Sequence, residues 1–211
     1  MAERPAWTLD GYVKKENFSF DWNGGFALSQ KKKNVSNLHA AIQKKYNKRV
    51  LEISTKSEDE IGRRLSAFHL KIGDCYLENI FQSSKVYETG GPYLDLLTVQ
   101  PKDAKRDERH RTSGSLNGFL YKGELWKLEP KTAFYDYLYI LAARETLEEE
   151  VMNGIAEYDW FTDIEFNPNK SVNCQAEGAA LLKHVVEHNC WEVLDNKTRW
   201  LEFYCQMIKE G

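Results

Sequence analysis

Residues 132–149 read as the longest helix, and in its first half nearly every position is apolar: Ala133, Phe134, Tyr135, Tyr137, Leu138, Tyr139 and Ile140 run on into Ala142 and Ala143. A surface helix needs only one apolar stripe, so a helix apolar on every side has to be covered on every side. The rest of the chain must therefore wrap it with other elements. The apolar run is broken by Asp136 and is too short to span a bilayer, which makes it core.

The remaining pattern supplies the wrapping. Residues 1–30 alternate aromatics with Gly and Asn (Trp7, Tyr12, Phe18, Phe20, Trp22, Asn23-Gly24-Gly25), predicting an arm of short strands and turns. Val35, Leu38, Ile42 and Tyr46 recur at helical spacing, with Lys44, Lys45, Lys48 and Arg49 toward that helix's end. Residues 50–54 are β-like, and Ser57-x-x-Glu60 has the form of a capping box opening a short helix. A helix is predicted over 76–88, stopped by Gly90-Gly91-Pro92. Residues 101–115 are charged and read as an exposed loop with one helical turn at most; 119–121 suggest a strand. Residues 158–168 read as irregular, and two amphipathic helices follow over 175–187 and 191–209. The sum is a helix-rich α+β single domain, with 1–49 as an N-terminal arm and first helix packed on a core of 50–211.

At 211 residues and 42% hydrophobic the chain can bury such a core, which excludes global disorder. A net charge of −3 excludes coating nucleic acid by bulk charge, so any phosphate contact must be local. Cys75, Cys174, Cys190 and Cys205 form no Cys-x-x-Cys pair and share no ligand spacing with His39, His69, His110, His184 and His188. The reading is reduced thiols, no metal and no cofactor. MAERPAW lacks the basic-then-apolar layout of a signal peptide, so a cytoplasmic protein without a membrane partner is expected.

Chemistry concentrates at Glu78, Phe81, Gln82 and Lys85, at i, i+3, i+4 and i+7. A carboxylate, a ring, an amide and an amine would share one helix face. Spacing alone favours the plainer reading, a solvated Glu and Lys beside a core Phe.

Glu78-x-x-Phe81-Gln82-x-x-Lys85 resembles the signature helix of the NADAR (YbiA-like) family. Leu65-Ser66-Ala67-Phe68 upstream, Trp126 ahead of the long helix, and Asp163 followed by Asn173 before a helix also match it. The chain is still more similar to the NADAR antitoxins associated with DarT-type DNA ADP-ribosyltransferase toxins. That resemblance rests on Ser29-Gln30-Lys31-x-Lys33-Asn34, Phe81-Gln82-x-Ser84-Lys85, Gly90-Gly91-Pro92-Tyr93, Glu129-Pro130-Lys131-Thr132-x-Phe134-Tyr135-Asp136 and Phe161-Thr162-Asp163-Ile164-Glu165-Phe166-Asn167-Pro168. Several motifs in one order make chance an inadequate account.

The resemblance implies hydrolysis of the N-glycosidic bond between ADP-ribose and guanine in DNA. The substrate would be single-stranded or carry an extruded guanine, the product ADP-ribose, and the functional partner a DarT-type toxin. Glu78, Lys85 and Asp163 would be catalytic, with Glu165 as an alternative second carboxylate. Ser29, Gln30, Lys31, Lys33 and Asn34, with Lys105 and Arg106 as a second patch, would meet the diphosphate. Phe81, Trp126 and Tyr135 would offer flat partners to a base, joined by Gln82, Glu165 and Asn173 in binding. Each basic residue also fits a solvated turn, and most aromatic residues must be core. Two other functions remain open: an N-glycosidase for a small phosphorylated riboflavin-pathway metabolite, and a non-catalytic immunity protein that occludes its toxin through an exposed apolar patch.

Overall fold

The computed structural model describes residues 1–208. In chain order the elements are β1 (Ala2–Asp10), β2 (Tyr12–Phe20), α1 (Leu28–Tyr46), β3 (Val50–Glu52), α2 (Glu60–Arg64), β4 (Lys71–Ile72) and β5 (Cys75–Tyr76). Next come α3 (Leu77–Ser83), β6 (Lys85–Tyr87), α4 (Pro101–Arg106), α5 (Arg109–Thr112), β7 (Leu116–Tyr121), β8 (Glu124–Trp126) and α6 (Ala133–Thr146). They are followed by α7 (Glu149–Gly154), β9 (Trp160–Thr162), α8 (Gln175–His188) and α9 (Lys197–Met207). This is the helix-rich α+β class that the sequence pattern predicts. Internal contacts group the chain into two units, residues 1–66 with 147–211, and residues 67–146. Among the described residues no helix is long and apolar enough to cross a membrane.

The first unit is built on a four-stranded sheet of order β2-β1-β9-β3. β1 and β2 form one continuous antiparallel hairpin rather than the short strands expected of residues 1–30. Its turn needs Gly11 at φ +70°, a conformation that a residue with a Cβ adopts only at a cost. α1 lies on one face, where Val35, Leu38 and Ile42 pack with Ala6, Phe18 and Trp160. Each of those aliphatic side chains contributes about 1.5–3 kcal/mol by leaving water. Trp7 is one residue on from Ala6 and therefore points to the opposite face. There its Nε1 donates to Glu177 of α8 at 3.2 Å.

Residues 158–168, expected to be irregular, contain β9, the strand that joins β1 antiparallel to β3 parallel. Its three residues are all buried. Pairing on both edges outweighs a composition that by itself looks loop-like. The helix expected to be capped by Ser57 starts two residues later. Asp59 caps α2, its Oδ1 accepting from Ile61 N at 2.8 Å, while Ser57 Oγ accepts from Asp59 N at 3.2 Å. The single helix expected over 191–209 is a 3-10 turn at Trp191–Leu194 followed by α9, with Asn196 as its N-cap.

The second unit pairs the β4–β5 hairpin and a β6-β7-β8 antiparallel sheet with α3 and α6. Residues Ala133 to Ile140 of α6 are all buried, as a helix apolar all round requires. The helix expected over 76–88 ends at Ser83. The hydroxyls of Ser83 and Ser84 both donate to the Ile80 carbonyl, at 3.0 and 2.7 Å, occupying the acceptor at the helix end. The chain then turns and Lys85–Tyr87 pairs with β7. The charged stretch 101–115 is more ordered than expected and forms α4 and α5. α4 opens on Pro101, a residue suited to a first helical turn.

Candidate functional site

Glu78 lies in the first turn of α3, and its Oε1 accepts from Gln82 Nε2 at 2.7 Å. Gln82 is the i+4 neighbour, so helical spacing alone orients this carboxylate. Lys105 Nζ of α4 lies 4.0 Å from the same oxygen. Gln82 Oε1 is buried and accepts from no group among the described residues, an acceptor left open for an outside N–H.

Lys85 is not on the helix, contrary to its i+7 placement, because α3 has already ended. The turn nevertheless keeps it beside α3, with Nζ 5.3 Å from the centre of the Phe81 ring. Burial lowers its amine to about 8, helped by the Lys105 charge and opposed by Glu78. Desolvation therefore wins over the carboxylate. At pH 7 about one molecule in ten then carries a free amine there, against about one in three thousand for an ordinary lysine.

Phe81, Trp126 and Tyr135 all lie in one buried aromatic cluster. Phe81 sits 5.2 Å from Phe119 and 5.3 Å, edge-on, from Tyr135, and Trp126 lies 5.1 Å from Phe134. These rings pack into one cluster, and of them Phe81 lies under Lys85. Arg106 is exposed, like Lys105.

The first unit holds the other candidates. Asp163 follows β9, its Oδ1 accepting from Glu165 N and its Oδ2 from Gln175 Nε2, both at 3.0 Å. Beneath it lies Glu52 at the end of β3, fully enclosed. Glu52 Oε1 accepts from Ser54 Oγ at 2.7 Å and Ile164 N at 2.9 Å, and Oε2 accepts from Thr162 Oγ1 at 2.7 Å. His39 Nε2 meets Thr162 Oγ1 at 2.9 Å, and burial pushes its imidazolium down to about 4. Asp163 is raised well above the usual carboxylate range, first by burial and then by the Glu52 charge; burial raises Glu52 too. Burial and the neighbouring Glu52 charge both favour the protonated form of Asp163. A pocket of about 360 Å³ opens above this network, lined by His39, Glu52, Ser57, Glu58 and Asp59.

Lys31 and Glu165, both expected at the ligand, bond to each other at 2.8 Å. Asn34 is buried at 1% exposure, and both its polar atoms go to Asn23. It clamps the loop before α1. Ser29 and Lys33 are exposed, and Gln30 and Asn173 half-buried.

Residues 2–210 match the pattern that defines the DarT1-associated NADAR antitoxins. The chain belongs to that family. No curated protein is similar enough to count as a match. In this NADAR antitoxin the Glu78–Gln82–Lys85 group combines a held carboxylate, an open amide oxygen and a partly deprotonated amine, which suits proton transfer and nucleophilic attack. Sequence reasoning missed Glu52, His39 and Gln175 around Asp163. A carboxylate ending the apolar run Val50-Leu51 was the available signal for Glu52, since a buried strand admits a charge only where donors await it.

Proposed function

We propose that this NADAR antitoxin is an N-glycosidase that removes ADP-ribose from guanine in DNA, reversing a DarT-type toxin in the cytoplasm. The observation that carries the reading is the half-buried Lys85 amine set over the Phe81 ring at 5.3 Å, with Glu78 held by Gln82 on the adjoining helix, in a chain of this family; burial there lowers the amine to about 8. An ordinary surface lysine would be charged and inert at the same pH.

In the proposed reaction Glu78 first takes the proton of the Lys85 ammonium, and Lys85 Nζ, now the free amine, bonds to the anomeric carbon of the ribose. The bond from that carbon to the guanine nitrogen breaks, its electron pair leaving with guanine, which takes up that same proton from Glu78. The attached nitrogen then loses a proton and its lone pair opens the sugar ring, forming an imine as the ring oxygen is protonated. Water adds to the imine carbon and the amine departs, leaving free ADP-ribose. Gln82 holds Glu78 in register and offers its open Oε1 to a base N–H.

The test is incubation with ADP-ribosylated single-stranded DNA, read as free ADP-ribose. Release is expected; intact substrate at high enzyme concentration overturns the reading. Borohydride added during turnover reports on the route. An ADP-ribose adduct on Lys85, absent from Lys85→Arg, supports the imine. No adduct together with an active Lys85→Arg leaves the lysine an electrostatic role only.

A further inference from the structure

The loop between β2 and α1, with the first residue of α1, exposes apolar surface. Phe26 is 98% exposed, Trp22 41% and Leu28 54%. The loop is nonetheless held in place. Asn23 N donates to Asn34 Oδ1 at 2.7 Å, Asn34 Nδ2 donates to Asn23 O at 3.0 Å, and Asn37 Nδ2 donates to Asp21 O at 2.7 Å. The Arg4 guanidinium lies over the Trp22 ring, 5.1 Å from its centre. The Trp22 end of the loop is thus presented on a fixed support, which lowers the ordering entropy that binding must overcome there.

Asp21 adjoins Trp22, but on the α1 side the charge has one sign. α1 contains no acidic residue, and Lys31, Lys32 and Lys33 fill the turn that follows Leu28. Lys31 is paired with Glu165, but Lys32 and Lys33 have no carboxylate partner among the described residues. Lys32 stands at i+4 from Leu28, and Lys33 at i+4 before Asn37, the residue that grips the loop, so both flank it.

A half-covered Trp22, packed on Phe20 and Arg4, and a bare Phe26, separated by Asn23-Gly24-Gly25 and with unpaired cations alongside, do not make the continuous apolar core that a protein partner would need. They are what a nucleic-acid strand with free base faces needs: rings to stack on and charges for its phosphates. A duplex offers no such faces. We propose that Trp22 and Phe26, together with Lys32 and Lys33, form a docking surface for single-stranded DNA, engaging unmodified nucleotides of the strand. The choice of DNA rests on the function proposed above.

The experiment is fluorescence anisotropy of a labelled short oligothymidine strand, titrated at low salt with the full-length protein. Wild type is expected to bind the single strand more tightly than the matching duplex. Phe26→Ala, which removes a side chain packed on almost nothing, should weaken binding by about 5- to 140-fold, the range for one stacked base. The double variant Lys32→Glu, Lys33→Glu should weaken it and flatten its salt dependence. The proposal is overturned if wild type does not bind the strand, or if Phe26→Ala binds it as wild type does. It is also overturned if Phe26→Ala loses binding to the toxin but not to DNA, which would make the loop a protein contact. Because the probe is unmodified, this result is read without any hydrolysis. Failure to cleave ADP-ribosylated DNA would overturn the proposed function and leave this measurement intact.

Discussion

Lys85→Met should make the protein more stable near neutral pH while abolishing its activity. In the native state burial holds the Lys85 amine at about 8, against about 10.5 in the unfolded chain. Below pH 8 the native protein therefore keeps a partly desolvated ammonium. The gap is worth about 3 kcal/mol, and about 2–3 kcal/mol once the water still reaching the side chain is counted. Between pH 8 and 10.5 the unfolded state binds more protons than the native state, so this penalty fades as pH rises, by at most about 1.4 kcal/mol per pH unit. Methionine keeps the unbranched packing over Phe81 and loses only the cation–ring attraction, about 0.5–1 kcal/mol. A net gain of about 1–2 kcal/mol follows at pH 7, shrinking to nothing or reversing near pH 10. Urea unfolding followed by tryptophan fluorescence, for both proteins at both pH values, measures it. Other alkaline titrations are common to the two proteins and cancel in the difference. A Lys85→Met protein less stable than wild type at pH 7, or a difference that does not change with pH, would refute the claim that desolvation sets this amine.

Glu78→Gln preserves size and the contact with Gln82 but removes the charge; release of ADP-ribose should slow by about 10² or more with an unchanged melting curve. A rate near that of wild type would take Glu78 out of the chemistry. Glu52→Ala strands the donors of Ser54, Thr162 and Ile164 in the interior and should destabilise by about 2–4 kcal/mol, read as a lower urea midpoint. Asp163→Asn concerns a carboxyl raised by burial and by Glu52. Wild type holds that proton where the unfolded chain has released it, so its stability falls as pH rises from about 4. The variant should show a shallower fall over the same range, and an unchanged slope would contradict a raised Asp163 carboxyl.

Periodicity was a sound guide wherever an element buries one coherent face. Val35, Leu38 and Ile42 define α1, and the run from Ala133 defines α6, because each helix is decided by its own side chains. It failed where a partner distant in sequence decides. β9 is a strand only because β1 and β3 flank it, and Lys85 leaves the helix because two serine hydroxyls occupy the Ile80 carbonyl and β7 offers a ladder. The candidate site divides the same way. Glu78 and Gln82 are four apart on one helix and could be paired from spacing alone. Glu52 and Thr162, which surround Asp163, are separated by 110 positions, a proximity that no local pattern contains.

The position of β9 sets a timetable for synthesis. β1 and β3 each pair with β9, the later-made strand, and β9 emerges about 110 residues after β3. At 5–20 residues per second a ribosome needs roughly 5–20 s to cover that distance. Throughout that interval β1 and β3 expose unpaired edges on the nascent chain, with Ala6, Val50 and the face of α1 lacking Trp160. Open edges beside uncovered apolar surface are where chains pair with one another instead of with themselves. Residues 67–146, contiguous in sequence, are meanwhile free to assemble, Thr146 Oγ1 meeting both the N–H and the carbonyl of Lys71 at 2.9 Å. Yield during rapid overexpression should therefore depend on chaperone supply during translation more than on the stability of the finished protein.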